Sequence, residues 1–239
     1  MFAKQSPLIA LLLFAVTSAS SFPALAQDDA SHYDYRQRTR ELAFDPQRFF
    51  PERPEPWMEI VYSGDDYGYP VYSIGILLGC TSEDVGEARR GCGSRMIARM
   101  VRAPFNGEPP RPRNRGQALF GFLYESGVSD DASLREALGR YRLEWLETDV
   151  SECGPAMAMM EANPALSFFA LPLVPRDPLS GIALHTDKIR FVHRDSYLFE
   201  STYYGALWED SPGAWADEFA QSLEACWQPS ESTPPWERD

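Results

Sequence analysis

Two His-x-Asp triplets, His185-Thr186-Asp187 and His193-Arg194-Asp195, are the residues whose types and spacing most directly suggest chemistry. On one continuous strand the histidines and aspartates would share a face, because side chains alternate with a period of two. At about 3.3 Å per residue, however, the two histidines would lie about 26 Å apart, which is too far for one metal ion. We therefore predict no metal site and interpret the triplets as strand-end and turn residues.

A hydrolase is the enzymatic alternative, with a site near the two histidines and a peptide or a glycan as substrate. The segment Gly91-Cys92-Gly93-Ser94 does not match the Gly-x-Ser-x-Gly turn that exposes a nucleophilic serine. The carboxylates of Glu144 and Glu147 are predicted to point to opposite faces of a strand, and Glu200 has no evident partner for glycoside cleavage. We therefore predict no catalytic residue and no cofactor, and we favour a non-enzymatic function.

Tyrosines supply the candidate binding surface. Tyr67 and Tyr69 lie in a predicted turn, and Tyr203 and Tyr204 are adjacent in a predicted strand. Aromatic rings of this kind can stack on a sugar ring or pack against a protein partner. These four residues are our hypothesis for a recognition surface.

The first 26 residues are typical of a secretory signal peptide. They contain one positive charge at Lys4, an apolar core from Leu8 to Val16, and the small-residue cleavage site Ala24-Leu25-Ala26. The apolar core is shorter than the roughly 20 residues that a membrane-spanning helix needs. The sequence therefore predicts a periplasmic or secreted protein without membrane insertion after cleavage.

The chain is acidic, with a formal net charge of −13. Removing the signal peptide takes away Lys4 and no carboxylate, so the mature chain is still more acidic. Such a charge disfavours nucleic acid, whose phosphates demand a basic surface, and anionic lipid. We expect the partner to be an unknown protein or another component of the cell envelope.

Four cysteines in an exported chain predict two disulfides, for which three connectivities exist. We favour Cys80–Cys92, which closes a local loop, and Cys153–Cys226, which joins two predicted helices. On the chain-entropy model the long bridge stabilises the fold by about 4 kcal/mol and the short one by about 3 kcal/mol. A metal site made of these cysteines is disfavoured because the sequence has no Cys-x-x-Cys pair.

Composition divides the mature chain into three parts. Residues 27–56 are polar and rich in proline, which predicts a flexible leader. Residues 57–227 form a single predicted domain, long enough to bury a core, and residues 228–239 are a second proline-rich segment that predicts a flexible tail.

Within the domain, strands and helices mix without regular alternation, which predicts an α+β fold with a mainly antiparallel sheet and about three to five helices. Strands are predicted at Trp57–Tyr62, Val71–Leu78, Ala118–Glu125 and Arg142–Thr148, and a hairpin within 182–204 at the centre of the sheet. Helices are predicted in 81–90, in Ser94–Arg102, after Ser129 or Asp131, after Ser151, and after Ser211. The predicted function is that of an exported, disulfide-stabilised binding protein of the cell envelope.

Overall fold

Seven strands and five α-helices make up the part of the chain that the structure describes. The structure is a computed structural model that describes residues 33–51, 55–64, 67–79, 95–104, 113–162, 186–196 and 199–238, all in one compact unit. The strands are β1 (Met58–Gly64), β2 (Tyr69–Leu78), β3 (Met96–Arg102), β4 (Glu144–Asp149), β5 (Lys188–Ser196), β6 (Phe199–Ala206) and β7 (Gln228–Pro229). The helices are α1 (Tyr35–Ala43), α2 (Arg113–Glu125), α3 (Asp131–Tyr141), α4 (Gly154–Ala162) and α5 (Pro212–Ser222). The predicted α+β class is confirmed.

The strands form one antiparallel sheet in the order β6-β5-β1-β2-β3-β4-β7. Strands β1 and β2 pair from Met58 opposite Ile76 to Gly64 opposite Tyr69, as the predicted hairpin requires. Strands β5 and β6 form the second predicted hairpin, but its predicted central position is wrong, because β6 lies at one end of the sheet order. A period of two identifies a strand, whereas its neighbours depend on packing that is remote in sequence.

One face of the sheet packs against α4 and α5, and we call it the α5 face. Its core includes Ile60 of β1, Ile74 of β2 and Phe191 of β5, packed against Phe219 of α5. Helix α5 approaches the sheet closely, since a Cβ atom at Gly213 would lie 2.6 Å from Cγ2 of Ile189. The absence of a side chain at this position therefore lets α5 lie directly on β5.

The opposite face packs against α1, α2 and α3, and we call it the α1 face. Helix α1 begins after Asp34, whose carboxylate accepts hydrogen bonds from the backbone N–H groups of Arg36 and Gln37. Such a cap satisfies amides that have no partner within the helix. Core residues of the α1 face come from all three helices and from β2, β3 and β4.

Both segments that the sequence predicts to be flexible contribute to this core. In the predicted leader 27–56, Leu42, Phe49 and Phe50 are buried, and in the predicted tail Trp236 packs edge-on against Trp145. Two of the prolines that suggest irregular chain, Pro46 and Pro235, begin short 3₁₀ helices at Pro46–Arg48 and Pro235–Glu237. A proline lacks only an N–H that has no helical partner at such a position.

Two predictions of local structure are wrong in type. Residues Met96–Arg102 form strand β3 rather than a helix, and residues Arg113–Glu125 form helix α2, where a strand was predicted from 118 to 125. Helices cover both faces of β3, so its apolar residues are nearly continuous and happen to match a helical spacing. In α2 the buried residues Leu119, Phe120 and Leu123 follow the helical spacing instead.

The other helix predictions within the described residues are confirmed. Helix α3 buries Leu134, Ala137 and Leu138, although Asp130 is its cap rather than Ser129 or Asp131. Helices α4 and α5 begin near the predicted positions, and Ser211 caps α5 through the N–H of Ala214. The predicted helix within 81–90 lies outside the described residues.

The disulfide between Cys153 and Cys226 is confirmed. It connects the start of α4 with the chain that follows α5, so it ties together the two helices of the α5 face. The predicted Cys80–Cys92 pair lies outside the described residues. Within the residues that the structure describes, no helix has the length and apolar character needed to cross a bilayer.

Candidate functional site

Tyr67 and Tyr69 lie where the β1–β2 hairpin turns. Their ring centroids are 5.8 Å apart, and the Tyr69 ring lies 5.8 Å from that of Phe120 on α2. Gly68 adopts a left-handed conformation with a φ of 63°. The Tyr67 ring is 59% exposed, whereas Tyr69 is anchored to the α1-face core. The hairpin therefore presents one tyrosine to solvent on a base that is packed.

Tyr203 and Tyr204 point to opposite faces of β6. Tyr203 lies opposite Phe191, packs on the α5-face core, and donates a hydrogen bond from its hydroxyl to the carbonyl of Ala206. Tyr204 lies opposite Arg190 and is 67% exposed. Directly paired residues of an antiparallel sheet share a face, so Tyr204 and Arg190 belong to the α1-face side. Of the adjacent tyrosines, Tyr204 is the one available to a partner.

Arg40 of α1 joins these tyrosines. Its Nε donates to the Gly68 carbonyl at 3.0 Å, and its Nη2 donates to the Tyr67 carbonyl at 3.3 Å. Burial lowers the pKa of the Arg40 guanidinium, and the charge of Asp34 and, more weakly, the Tyr204 phenol oppose this shift. The charge of Arg40 thus lies at the turn that carries Tyr67.

Arg36 lies one helical turn before Arg40 and shares its aromatic support. The guanidinium carbons of Arg36 and Arg40 lie 5.8 and 5.5 Å from the centroid of the Phe120 ring. Arg36 is also 5.8 Å from the ring centroid of Tyr35, whose hydroxyl accepts a hydrogen bond from its Nε at 3.3 Å. The surface formed by Arg36, Arg40, Tyr67, Tyr69 and Tyr204 is called the Arg40 surface below.

A second pair of arginines, Arg190 and Arg194 of β5, forms salt bridges with carboxylates of the neighbouring strands. Glu59 of β1 is fully buried, and its two carboxylate oxygens lie 2.9 Å from Nη2 of Arg190 and 2.8 Å from Nη1 of Arg194. Arg194 also donates to Glu200 at 2.9 Å. These charges neutralise one another, so the cluster stabilises the sheet and leaves little to bind a ligand.

The α5 face carries two tyrosine–carboxylate pairs at the same end of the β1–β2 hairpin. Tyr62 donates to Asp187 at 2.8 Å, and Tyr72 donates to Asp217 of α5 at 2.9 Å. The two tyrosine rings are 5.1 Å apart. Burial raises the pKa of the Asp217 carboxyl, and the nearby Asp187 charge acts in the same direction. Each hydroxyl is used by its carboxylate, so the pairs fasten α5 and β5 to the hairpin.

A groove of about 520 Å³ lies beside the disulfide at the β4–β7 end of the sheet. Its lining includes Glu147 and Asp149, which pair with Arg99 at 2.6 Å and with Arg95 at 2.8 Å. The acidic lining is thus partly neutralised by arginines, and the groove is mainly a gap between the sheet and the C-terminal chain.

The carboxylates considered for glycoside cleavage are held by arginines. Glu144 pairs with Arg102 at 2.5 Å, and Glu147 and Glu200 pair with other arginines as described above. Glu144 and Glu147 alternate across β4 as predicted, so they cannot act on one bond. The structure does not bring them together.

The histidine triplets remain apart from the surfaces described above. His193 is buried and packs edge-on against Trp57 at 5.0 Å, while His185 and the side chain of Asp195 lie outside the described residues. In the described parts of the chain, no group of three histidine, cysteine, aspartate or glutamate side chains is placed to hold a metal ion.

Sequence reasoning missed both arginines of the Arg40 surface and the carboxylate of Asp217. Arg36 and Arg40 are four residues apart, which places them on one side of a helix, but the segment was interpreted as a flexible leader. Recognising the capping residue Asp34 would have identified helix α1 and hence this spacing. No local signal in the sequence pairs Asp217 with Tyr72, because 145 residues separate them.

Comparison of the chain with protein-family models, with curated proteins and with solved structures gives no match.

Proposed function

We propose that the chain is an exported, disulfide-stabilised protein that binds another component of the cell envelope through the Arg40 surface and catalyses no reaction. The supporting observation is that the guanidinium of Arg40 holds the turn that carries the exposed Tyr67 and forms no salt bridge among the described residues, while a second exposed tyrosine, Tyr204, lies on the same side of the sheet. Exposed aromatic rings and arginine are enriched at binding surfaces because they combine large contact area with directed hydrogen bonds.

Export is proposed from the signal-peptide pattern of residues 1–26 and from the cysteines. The Cys153–Cys226 disulfide fits an oxidising compartment, either the periplasm or the medium. We expect the mature chain to begin at Gln27 and to contain a second disulfide, Cys80–Cys92. Intact-mass measurement and non-reducing peptide mapping of the protein from its native host test both points. A retained N-terminus or free thiols would contradict them.

Binding is tested by comparing three proteins in affinity capture from a native envelope extract. The wild type is compared with the double variant Tyr67→Ser/Tyr204→Ser and with Tyr124→Ser, an equally conspicuous tyrosine that is 75% exposed on α2. We expect the double variant to lose the captured component and the Tyr124 control to retain it. Equal capture by all three proteins would refute the proposed surface.

The hydrolase alternative is addressed separately by a broad esterase and peptidase screen with a fluorophosphonate label. The binding function predicts no turnover and no labelled serine. Of the two triplet histidines, the structure describes His193, which is buried against Trp57. A histidine in this position is unsuited to proton transfer with a substrate at the surface. Turnover that disappears on His193 substitution in a folded variant would favour the hydrolase instead.

A further inference from the structure

Arg36 and Arg40 form no salt bridge within the described residues, in a chain with 35 acidic and 22 basic residues. Arginines elsewhere, such as Arg99, Arg102 and Arg194, are each paired with at least one glutamate. Within the described residues, Arg36 and Arg40 instead donate to a tyrosine hydroxyl and to backbone carbonyls. Two neighbouring cations are therefore without a salt bridge among the described residues, despite the surplus of carboxylates in the chain.

The open cations are also held in place. On a helix, residues four apart have Cβ atoms about 5–6 Å from each other, so the two guanidinium groups are neighbours. Both lie against the Phe120 ring, and Arg40 is fixed further by the Tyr67 and Gly68 carbonyls. Nη1 of Arg40 and both terminal nitrogens of Arg36 make no hydrogen bond within the described part of the chain. Fixed donors lose less entropy when they bind a ligand.

The planar guanidinium fork matches the two oxygens of a carboxylate, and flat exposed rings beside it offer a stacking surface. We infer that the Arg40 surface binds carboxylate-bearing sugar rings of an acidic polysaccharide. This inference rests on the proposed binding function and specifies its ligand class. Tyr67 and Tyr204 would stack on the sugar rings, while Arg36 and Arg40 would hold the carboxylates.

The exposure of the tyrosine rings favours a sugar polymer over an acidic peptide. Tyr67 and Tyr204 are 59% and 67% exposed, so their rings offer an open stacking face to a sugar ring. The carboxylate of Asp34, the residue that caps α1, already accepts two backbone hydrogen bonds. At about 0.15 M salt the Debye length is about 8 Å, so only acidic residues farther away than this are largely screened at the surface.

The inference is tested with the full mature chain and three polymers by titration calorimetry. The probes are polygalacturonate, the same polymer with its carboxylates methyl-esterified, and poly-L-glutamate. We expect binding to polygalacturonate that weakens with added salt, with at least tenfold weaker binding to the ester and to the peptide polymer. The ester keeps the sugar ring and removes the charge, whereas the peptide keeps the charge and removes the ring.

Variants assign the binding to these residues. Arg36→Gln is expected to weaken polygalacturonate binding about tenfold or more, because a charge-assisted pair is lost. The matched control is Arg140→Gln on α3, whose arginine is 57% exposed and lies 4.0 Å from Glu136. We expect this control to bind within twofold of the wild type. Arg40→Lys, which keeps the charge without the planar fork, is expected to weaken binding with the fold unchanged.

Several results would overturn the inference. They are no binding of polygalacturonate, equal binding of the ester, poly-L-glutamate binding as tight as the sugar acid, or equal losses in Arg36→Gln and Arg140→Gln. Capture from the envelope that still depends on Tyr67 and Tyr204 would then show that only the ligand class is wrong. If capture is also independent of those tyrosines, the proposed function fails as well.

Discussion

The two faces of the sheet use their polar side chains differently beside the same β1–β2 hairpin. On the α5 face, Tyr62 and Tyr72 each donate to an aspartate, so their hydroxyl groups are satisfied within the protein. On the α1 face, Arg36 and Arg40 rest on aromatic rings, and their terminal nitrogens retain open donors among the described residues.

This difference separates a structural polar group from a recognition group. A buried polar atom without a partner costs about 1–3 kcal/mol, which explains why the α5-face groups are paired. The exposed guanidinium of Arg36 is hydrated and incurs little of that cost, and the half-buried Arg40 is satisfied in part by two backbone carbonyls, so both can stay available to a ligand. Substitutions of the paired groups on the α5 face and of the Arg40 surface on the α1 face should therefore affect stability and binding in opposite proportions.

The largest expected effect is loss of the disulfide on the α5 face. Replacing both Cys153 and Cys226 with alanine should lower the free energy of unfolding by about 4 kcal/mol, since the bridge closes a long loop. Denaturant unfolding of the folded double variant measures the change. A loss below about 1 kcal/mol would show that α4 and α5 are held by packing alone.

The next largest effect on stability is expected at Glu59, which neutralises two arginines, in contrast to the Arg40 surface, where the arginines form no salt bridge within the described residues. Glu59→Gln should lower the free energy of unfolding by about 3 kcal/mol, because it removes the charge that compensates Arg190 and Arg194. Chemical denaturation of the variant, with Glu136→Gln as an exposed control, measures this loss. Equal stability of the two variants would mean that solvent, not Glu59, compensates these arginines.

A smaller effect, with opposite signs on the two faces, is expected as pH changes. Burial raises the pKa of Asp217 above its value in the unfolded chain. The stability that this carboxyl contributes is therefore fully present below the unfolded pKa and is lost as the pH rises through the folded pKa. The hydrogen bond from Arg38 lowers the pKa of Asp131 to about 2, so its contribution is present above the unfolded pKa and is lost on acidification.

The aspartates are compared by measuring stability from neutral pH to about pH 2. Relative to Asp217→Asn, the wild type should gain stability as the pH falls, while relative to Asp131→Asn it should lose stability. Urea unfolding at each pH gives both differences. The same sign for both variants would contradict the assignment of Asp217 as a carboxylate that burial destabilises.

Local sequence patterns predict the two hairpins of the sheet, but they fail for a strand that helices cover on both of its faces. The hairpins and the Cys153–Cys226 disulfide were predictable because alternation, turn residues and a helical stripe are local signals. Strand β3 was mistaken for a helix because burial on both sides removes alternation from a strand. Which strands become neighbours depends on contacts between distant segments, so the sheet order was not predictable.

The candidate surface was predictable in its tyrosines and not in its arginines. Tyr67 and Tyr204 stood out as aromatic residues in a turn and a strand, and both are exposed. That Tyr203 faces the core follows from strand alternation once β5 and β6 are paired. Arg40 meets the Tyr67 carbonyl across 27 residues, and no periodic pattern encodes such a contact.

The smallest expected effect on stability belongs to the Arg40 surface itself, and it tests the comparison most directly. Arg36→Gln combined with Tyr204→Ser should change the free energy of unfolding by no more than about 0.5 kcal/mol, as is usual for exposed positions. By contrast, Tyr72→Phe should cost about 1–2 kcal/mol, because Asp217 loses its donor. Thermal and denaturant unfolding measure both variants. If the double variant Arg36→Gln/Tyr204→Ser loses as much free energy of unfolding as Tyr72→Phe, the side chains of the Arg40 surface stabilise the fold. The argument that they are kept available for a ligand would then fail.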